Sequence, residues 1–288
     1  MNIFKIFVLA IVQGAAELLP VSSSAHVIVT EKLLGLDPTS AEMTLLLVML
    51  HTGTMFAVIF FFWRAWKQSF FASRKVFFDS AKFITVATIF TAIVGLSLKF
   101  LIEKIFMKDI PHAEIELLFG NLVLISISLA GVGILIMIAA WKARQYQKAK
   151  QGVDIKSSGW IGVVQGICLP FRGFSRSGAT ISTGLLLGIE KARVEEFSFA
   201  LAVVLTPPII VREVLRLLKA QHVNSLISAS AMSLFFPSLL GMVLSFISGI
   251  LALRWLSNWL ERGRWQFFGM YCICSSLIIF LLHVTQFM

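Results

Sequence analysis

Charged residues are scarce in this sequence. Only 14% of its 288 residues are Asp, Glu, Lys or Arg, whereas soluble domains carry about 25%. Hydrophobic residues make up 58% of the chain, and the mean hydropathy is +0.88. Several apolar runs reach the roughly 20 residues that a helix needs to cross a bilayer. The composition therefore argues against a soluble domain and predicts an integral membrane protein with several spans.

Cysteine is also scarce, and acidic residues are fewer than basic ones. The three cysteines predict no disulfide framework, and Cys272 and Cys274 lie in an apolar run without a nearby His or acid, which argues against a metal site. The 25 basic and 15 acidic residues give a net charge of +10. In a membrane protein this excess fits cytoplasmic loops or an anionic lipid or phosphate ligand, so we predict no nucleic-acid partner. The N-terminal apolar run lacks a small-residue cleavage site, so we expect no removed signal peptide.

Long hydrophobic runs are abundant, and polar residues interrupt two of them. The first run breaks at Pro20 into VSSSAH, and the fifth contains GICLPFRGFSRSGAT. Irregular backbone at membrane depth is stable only where protein buries it or where it lines a wet cavity. We therefore predict an all-α membrane protein with two re-entrant helical hairpins, at the first and fifth runs, and six transmembrane helices. The runs lie at 3–19, 44–63, 83–102, 117–141, 159–188, 197–211, 229–253 and 267–286.

Loop charges predict which side of the membrane each connection occupies. Basic residues dominate 64–82, 142–158 and 254–266, which places these loops in the cytoplasm, and acidic residues dominate 103–116, which places it outside. The basic loop 212–228 must then lie outside, against that rule.

This topology makes the two halves of the chain inverted copies. Residues 1–141 form the first repeat and 159–288 the second, each a hairpin plus three spans, joined by the basic loop 142–158. The stretches IVQGAAELLPVSSSAH and VVQGICLPFRGFSRSG support the duplication, and an alignment on Gln-Gly pairs Ser23 with Ser175. Inverted repeats with broken helices place a polar site near the midplane, where the two breaks meet.

The first break contains the side chains that acid–base chemistry needs. Glu17 lies four residues after Gln13, on the same helical face. A carboxylate is suited to act as a general base or to hold a divalent metal, and a hydroxyl beside a base is a potential nucleophile. The alternatives are that the serines only satisfy the interrupted backbone and that the histidine only caps a helix. The candidates at this break are Gln13, Glu17, Ser22, Ser23, Ser24 and His26.

The second break contains the donors that an anion needs. A helix that starts near Ser177 points its positive end and free backbone amides at the break, and arginine supplies forked donors for phosphate oxygens. The alternatives are that Arg176 pairs only with Glu17 and that Arg172 extends to the headgroups. His51, near the start of the 44–63 span, is a possible accessory residue. The candidates at this break are Arg172, Ser175, Arg176, Ser177, Gly178 and Thr180.

These motifs resemble those of the undecaprenyl-diphosphatases, bacterial membrane enzymes linked to bacitracin resistance. The resemblance rests on QGAAELLPVSSSAH and PFRGFSRSGAT, with LHTGTMFAVIFFFW and EEFSFALAV in addition, and covers most of the chain. It implies hydrolysis of undecaprenyl diphosphate to the monophosphate and inorganic phosphate, which recycles the lipid carrier of cell-wall synthesis. It also implies a bacterial inner-membrane location, an outward-facing site and a divalent cation, Mg²⁺ or Ca²⁺. The family's functional residues fall on Glu17, Ser23, His26 and Arg176, with Gln13 at the variable first position.

The sequence departs from the family pattern at two places and leaves one rival function open. Gln13 stands where many members have a second glutamate, and Phe171 and Arg172 separate the proline of the second motif from its glycine. The rival is a transporter or flippase of a polyprenyl phosphate, since inverted repeats with broken helices are also a transporter design. The serines and histidine beside the carboxylate favour hydrolysis. The expected partners are the lipid diphosphate and the bilayer, and the sequence leaves a homodimer open.

Overall fold

The computed structural model describes residues 2–37, 40–106, 118–146, 152–223 and 231–285. The regular elements in these ranges are helices, and α4 continues into a π-helical turn, Ile102–Phe106. An all-helical architecture, as predicted, is therefore confirmed. The helices are α1 (Ile3–Leu18), α2 (Ser23–Leu33), α3 (Ala41–Ser69), α4 (Arg74–Leu101), α5 (Leu122–Ala143), α6 (Ile155–Cys168), α7 (Arg176–Leu186), α8 (Lys191–Val223), α9 (Ala231–Glu261) and α10 (Gln266–Val284).

Within the described ranges, five helical segments are long and apolar enough to cross a bilayer. They expose large apolar side chains, such as Phe60 (68%), Leu96 (67%) and Ile127 (63%), as lipid-facing helices do. The chain is thus a multi-pass membrane protein. The sixth predicted span, 197–211, lies in α8, which is not among the five and contains Pro207 and Pro208. The five segments are Met43–Ser69, Arg74–Ile105, Leu122–Ala143, Phe235–Glu261 and Gln266–Val284.

The helices extend beyond the apolar runs that predict them. α3 continues to Ser69, α8 to Val223 and α9 to Glu261, all inside segments that loop charge had assigned to connections. Hydropathy detects only the apolar middle of a span, whereas Lys, Arg and Glu are good helix formers that extend helices into the interface. Most of the predicted outer loop 103–116 falls outside the described residues, as do 147–151 and 224–230.

Each interrupted run folds as two short helices around a break. α1 ends at Leu18 and α2 begins at Ser23, while α6 ends at Cys168 and α7 begins at Arg176. α6 starts before the apolar run because a capping box fixes its first turn. The Asp154 side chain accepts from the Ser157 backbone N–H at 2.7 Å, and the Asp154 N–H donates to the Ser157 hydroxyl at 2.9 Å.

The contacts divide the chain into two compact units. The first comprises Met1–Leu19, His26–Trp63 and Ala202–Leu256. In it, α9 donates side-chain hydrogen bonds to the backbone of two neighbouring helices, from Ser245 Oγ to Leu50 O at 2.9 Å and from Ser248 Oγ to Ile11 O at 3.0 Å. Small and polar residues make such contacts because lipid tails provide no hydrophobic drive between helices. An apolar cluster in this unit consists of Ile6, Leu9, Ala10, Val27, Met43, Leu46 and Leu50.

The second unit comprises Pro20–Ala25, Arg64–Leu201 and Ser257–Met288. In it, α4 packs on α6, and α5 packs on α7 and α10. Ser276 Oγ of α10 donates to Ser126 O of α5 at 2.7 Å. The first break, residues 20–25, therefore belongs to the same unit as the second break and α7.

Candidate active site

The Glu17 carboxylate has two polar neighbours in the first unit. Gln13, which is 1% exposed, donates from Nε2 to Glu17 Oε2 at 3.2 Å. His51 of α3 places Nε2 at 3.8 Å from the same Oε2, and its Nδ1 lies 2.8 Å from Leu47 O. The structure thus brings Gln13, Glu17 and His51 together.

The first break begins with an unusual backbone conformation. Ser22 has a φ of 67°, in the left-handed region that residues with a Cβ seldom adopt and that is often found at functional sites. Its Oγ accepts from the Ala25 N–H at 3.5 Å and lies 3.4 Å from Ser24 Oγ. Ser22 therefore caps α2, which supports the backbone-satisfying interpretation for this serine. Ser23 becomes the first residue of α2.

The second break has the same cap. Ser175 Oγ accepts from the Gly178 N–H at 3.2 Å and lies 3.4 Å from Ser177 Oγ, and Arg176 is the first residue of α7. By cap geometry Ser22 corresponds to Ser175, and Ser23 corresponds to Arg176. The caps therefore favour a pairing one position away from the alignment on Gln-Gly, which pairs Ser23 with Ser175. One more residue separates Gln-Gly from the cap in the second half than in the first.

The two breaks lie next to each other in the second unit. Pro20 Cβ stands 3.3 Å from the point that a Cβ at Gly178 would occupy, and the Pro20 carbonyl accepts from the Cys272 thiol at 3.2 Å. The turn before α7 requires glycine at Gly173, which has a φ of 103° and where an added Cβ would lie only 2.4 Å from Ile125 O. The N-terminus of α7 is thereby held beside the first break.

Thr180 fixes the backbone of Arg176. It is fully buried, and its hydroxyl donates to Arg176 O at 2.8 Å. Because a hydroxyl has one hydrogen, the 2.6 Å contact with Ser198 Oγ is then donated by Ser198. Thr180 therefore supports the start of α7 from within the protein.

Arg172 contacts an aromatic ring near the ends of two other helices. Its guanidinium carbon lies 4.2 Å from the ring centroid of Phe119, a cation–π geometry. Phe119 and Phe171 pack with Ile102 in a small apolar cluster. The two residues that separate proline from glycine in the second motif thus anchor the tip of this break to the chain around α4 and α5.

Arg172 is exposed, and the other predicted residues form two groups. Those that a substrate could reach are only partly buried, and those that fix the backbone of the breaks are buried, together with Gln13, which contacts the Glu17 carboxylate. The partly buried group is Glu17, Ser23, Ser24, His26, His51 and Arg176. The buried group is Gln13, Ser22, Ser175, Ser177, Gly178 and Thr180.

The described residues contain no cluster of three or more His, Cys, Asp or Glu side chains suited to a metal ion. Glu17 offers one carboxylate, with the Gln13 amide beside it. Magnesium usually keeps several waters and is held by one or two carboxylates together with substrate phosphates. The donor set around Glu17 therefore fits a cation shared with a phosphorylated substrate and does not fit a closed protein cage.

Sequence reasoning missed several residues that support these groups. Ser198 had no signal beyond its place in EEFSFALAV. Ser245 lies between Gly241 and Gly249 at intervals of four residues, a pattern of small residues that is typical of close helix contacts. That spacing could have identified the α9 face that holds α1 and α3.

Comparison with known proteins identifies the family of this chain. Residues 6–278 match the family described as bacitracin resistance protein BacA. The chain is 52% identical over 284 residues to a protein of Acinetobacter baylyi named undecaprenyl-diphosphatase 2, and the match covers 98% of each chain. It is 30% identical over 285 residues to an undecaprenyl-diphosphatase of Parabacteroides distasonis, covering 96% of this chain and 97% of the relative. This chain therefore belongs to the bacitracin resistance protein BacA family.

Proposed function

We propose that this protein hydrolyses undecaprenyl diphosphate to undecaprenyl phosphate and inorganic phosphate. The observation that carries the proposal is the 52% identity, over 98% of both chains, to a relative named undecaprenyl-diphosphatase 2. The residue types of the two sequence motifs fit this activity, because one motif contains a carboxylate, a serine and a histidine and the other an arginine at a helix start. No observation favours translocation of a polyprenyl phosphate without hydrolysis.

The start of α7 is the proposed diphosphate-binding element. Arg176 is partly exposed at its first position, followed by Ser177 and Gly178. The positive end of the helix dipole favours an anion at this point, and a guanidinium adds forked donors. Ser175 and Thr180 hold this start in place through their hydrogen bonds to Gly178 N and Arg176 O.

Glu17, Ser23 and His26 are the proposed acid–base and nucleophilic groups. The attacking oxygen, from Ser23 or from a water, forms a bond to the terminal phosphorus while the bridging anhydride bond breaks. A water attack releases inorganic phosphate directly, whereas attack by Ser23 gives a phosphoserine that a water then hydrolyses to inorganic phosphate and the free hydroxyl. His26 or Glu17 accepts the proton of the attacking oxygen. The leaving undecaprenyl phosphate carries away the bridging oxygen. Such reactions depend mostly on positioning and on electrostatic stabilisation.

A divalent cation, Mg²⁺ or Ca²⁺, is proposed to be held by Glu17 together with diphosphate oxygens. When bound, it would neutralise part of the charge on the diphosphate. The neutral Gln13 amide leaves Glu17 as the only carboxylate of this group, so we expect one cation rather than two.

The proposed architecture is six spans plus two re-entrant hairpins in an inverted repeat, in the bacterial inner membrane with the site facing outward. The equivalent caps at Ser22 and Ser175 support the repeat. The segment 197–211 of α8 is proposed as the sixth span, and residues 1–141 and 159–288 as the two copies. The charges of the loops other than 212–228 support the orientation.

Phosphate release by the detergent-purified protein tests the function. The substrate is a long-chain polyprenyl diphosphate, with Mg²⁺, with Ca²⁺ and with a chelator. Metal-dependent release from the diphosphate, and none from the corresponding monophosphate, is the expected result. Folded protein that releases no phosphate with either metal would exclude the proposal.

A further inference from the structure

Side chains from two helices approach one oxygen of the Glu17 carboxylate. Gln13 Nε2 donates to Oε2 from one turn earlier on α1, and His51 approaches the same oxygen from α3. Glu17 is 16% exposed and His51 36% exposed, so both side chains remain accessible. The carboxylate is therefore bounded on its Oε2 side by an amide and an imidazole.

The His51 ring is oriented by its own helix. Nδ1 lies 2.8 Å from Leu47 O, which only accepts hydrogen bonds, so Nδ1 carries a hydrogen, and Nε2 is a donor toward Glu17 in the ring that carries a hydrogen on both nitrogens. That hydrogen bond fixes the plane of the ring and leaves Nε2 as the atom that faces Glu17, at 3.8 Å. Orientation of a histidine through its second nitrogen is a common device in sites that need a defined geometry. His51 thus presents one specific atom to the carboxylate.

The relative placement of α1 and α3 is itself constrained. Ser245 of α9 donates to Leu50 O, next to His51, and Ser248 donates to Ile11 O on α1. The point that a Cβ at Gly53 would occupy lies 2.3 Å from Met242 O, so α3 and α9 are in close backbone contact. The distance between His51 and Glu17 therefore follows from the packing of three helices.

From this geometry we infer that His51 is a positioning residue for Glu17 in the proposed phosphatase reaction, and that it acts through Nε2. The inference rests on the proposed function. His51 need not touch the diphosphate, because its contact is with the carboxylate that handles the proton or the cation. Its loss should impair the chemical step more than the binding of substrate, since misplacement of a reacting group by about 1 Å costs up to roughly 100-fold in rate.

Three substitutions at His51 separate this role from a structural one. Glutamine places an amide nitrogen near the position of Nε2, whereas asparagine places one near Nδ1 and only preserves the bond to Leu47 O. His51→Ala and His51→Asn are expected to lower kcat by about 10- to 100-fold with KM within about 2-fold of wild type, while His51→Gln recovers most of the loss. His283→Ala, an exposed histidine at the end of α10, is the matched control and should keep full activity.

The readouts are kcat and KM for phosphate release from a polyprenyl diphosphate, with the thermal midpoint of each variant. Recovery by His51→Asn but not by His51→Gln would assign His51 a role in holding α3 and overturn the inference. A loss confined to KM, or His51→Ala with unchanged kcat, would also overturn it. Wild-type protein that releases no phosphate would instead refute the proposed function, and the inference would fall with it.

Discussion

Two glutamines occupy equivalent places in the repeated sequence and have different surroundings. Gln13 donates to Glu17, four residues later on α1. Gln165, in the matching Gln-Gly of α6, is fully buried, and its Nε2 and Oε1 have no hydrogen-bond partner among the described residues. The residue four positions after it is Leu169. A buried amide without a partner costs about 1–3 kcal/mol, so Gln165 destabilises the fold. Gln13, by contrast, donates a hydrogen bond to the Glu17 carboxylate.

Replacement by methionine should affect stability at Gln165 and the reaction rate at Gln13. Gln165→Met removes the unpaired amide at similar volume, so we expect a gain of about 1–3 kcal/mol in the free energy of unfolding with unchanged phosphate release. Gln13→Met removes the donor to Glu17 and is expected to lower the rate of release by about 10-fold or more. Thermal midpoints and release rates of the two variants check this. A Gln165→Met protein that melts earlier than wild type would contradict it.

At the scale of helices, α4 and α6 approach closely through small residues. Gly162 and Gly166 of α6 are spaced by four, and a Cβ at Gly162 would lie 2.2 Å from Ala87 O. Thr91 Oγ1 contacts Gly162 O at 3.0 Å across the interface. Close backbone contact of this kind is a principal source of helix association in membranes.

A single added methyl group should therefore separate these helices. Gly162→Ala is expected to lower the thermal midpoint, because overpacking against a backbone carbonyl costs about 1–3 kcal/mol. Gly159→Ala on the same helix is the matched control, since its new Cβ would meet only the Phe90 ring at 3.5 Å. Equal thermal midpoints for the two alanine variants would show that the close α4–α6 contact does not determine the stability of the protein.

The sequence predicted which apolar runs are helical and where two of them break. It did so because spans need long apolar segments and because proline, glycine and serine clusters interrupt helices. It missed the helix ends, such as Ser69 and Glu261, because charged residues continue helices past the apolar run. It also missed the pairing of Ser22 with Ser175, which depends on cap geometry, and the bond from Ser245 to Leu50 O, which depends on tertiary packing.

At the scale of the whole molecule, a buried carboxyl group links stability to pH. Glu195 precedes the predicted span 197–211, accepts a hydrogen bond from Ser257 at 2.5 Å and is 3% exposed. Burial, with smaller contributions from the neighbouring Glu261 and Glu196, raises the pKa of Glu195 from 4.5 to about 8 against the opposing effect of the Ser257 bond. The native state thus favours the protonated form.

Stability should therefore fall as pH rises through this range. The unfolded chain loses the Glu195 proton near its ordinary pKa of 4.5, whereas the native state keeps it up to about 8. The contribution of Glu195 to the free energy of unfolding is therefore complete below pH 4.5, decreases between these two values and is lost above about pH 8. Glu195→Gln should remove this part of the pH dependence, while Glu190→Gln, at an exposed position, should not. Thermal midpoints in detergent between these pH values provide the test. A midpoint that falls with pH as steeply in Glu195→Gln as in wild type would contradict the assignment.

The central claim is that one residue from each sequence half is required for the same hydrolysis. The most direct measurement is phosphate release from a polyprenyl diphosphate by wild type, Glu17→Ala and Arg176→Ala, each with its thermal midpoint. We expect each substitution to lower the rate by at least about 100-fold, the scale of losing a key acid–base or electrostatic group, with the folded state retained. If both variants fold and the rate of phosphate release falls only mildly in each, the account is contradicted.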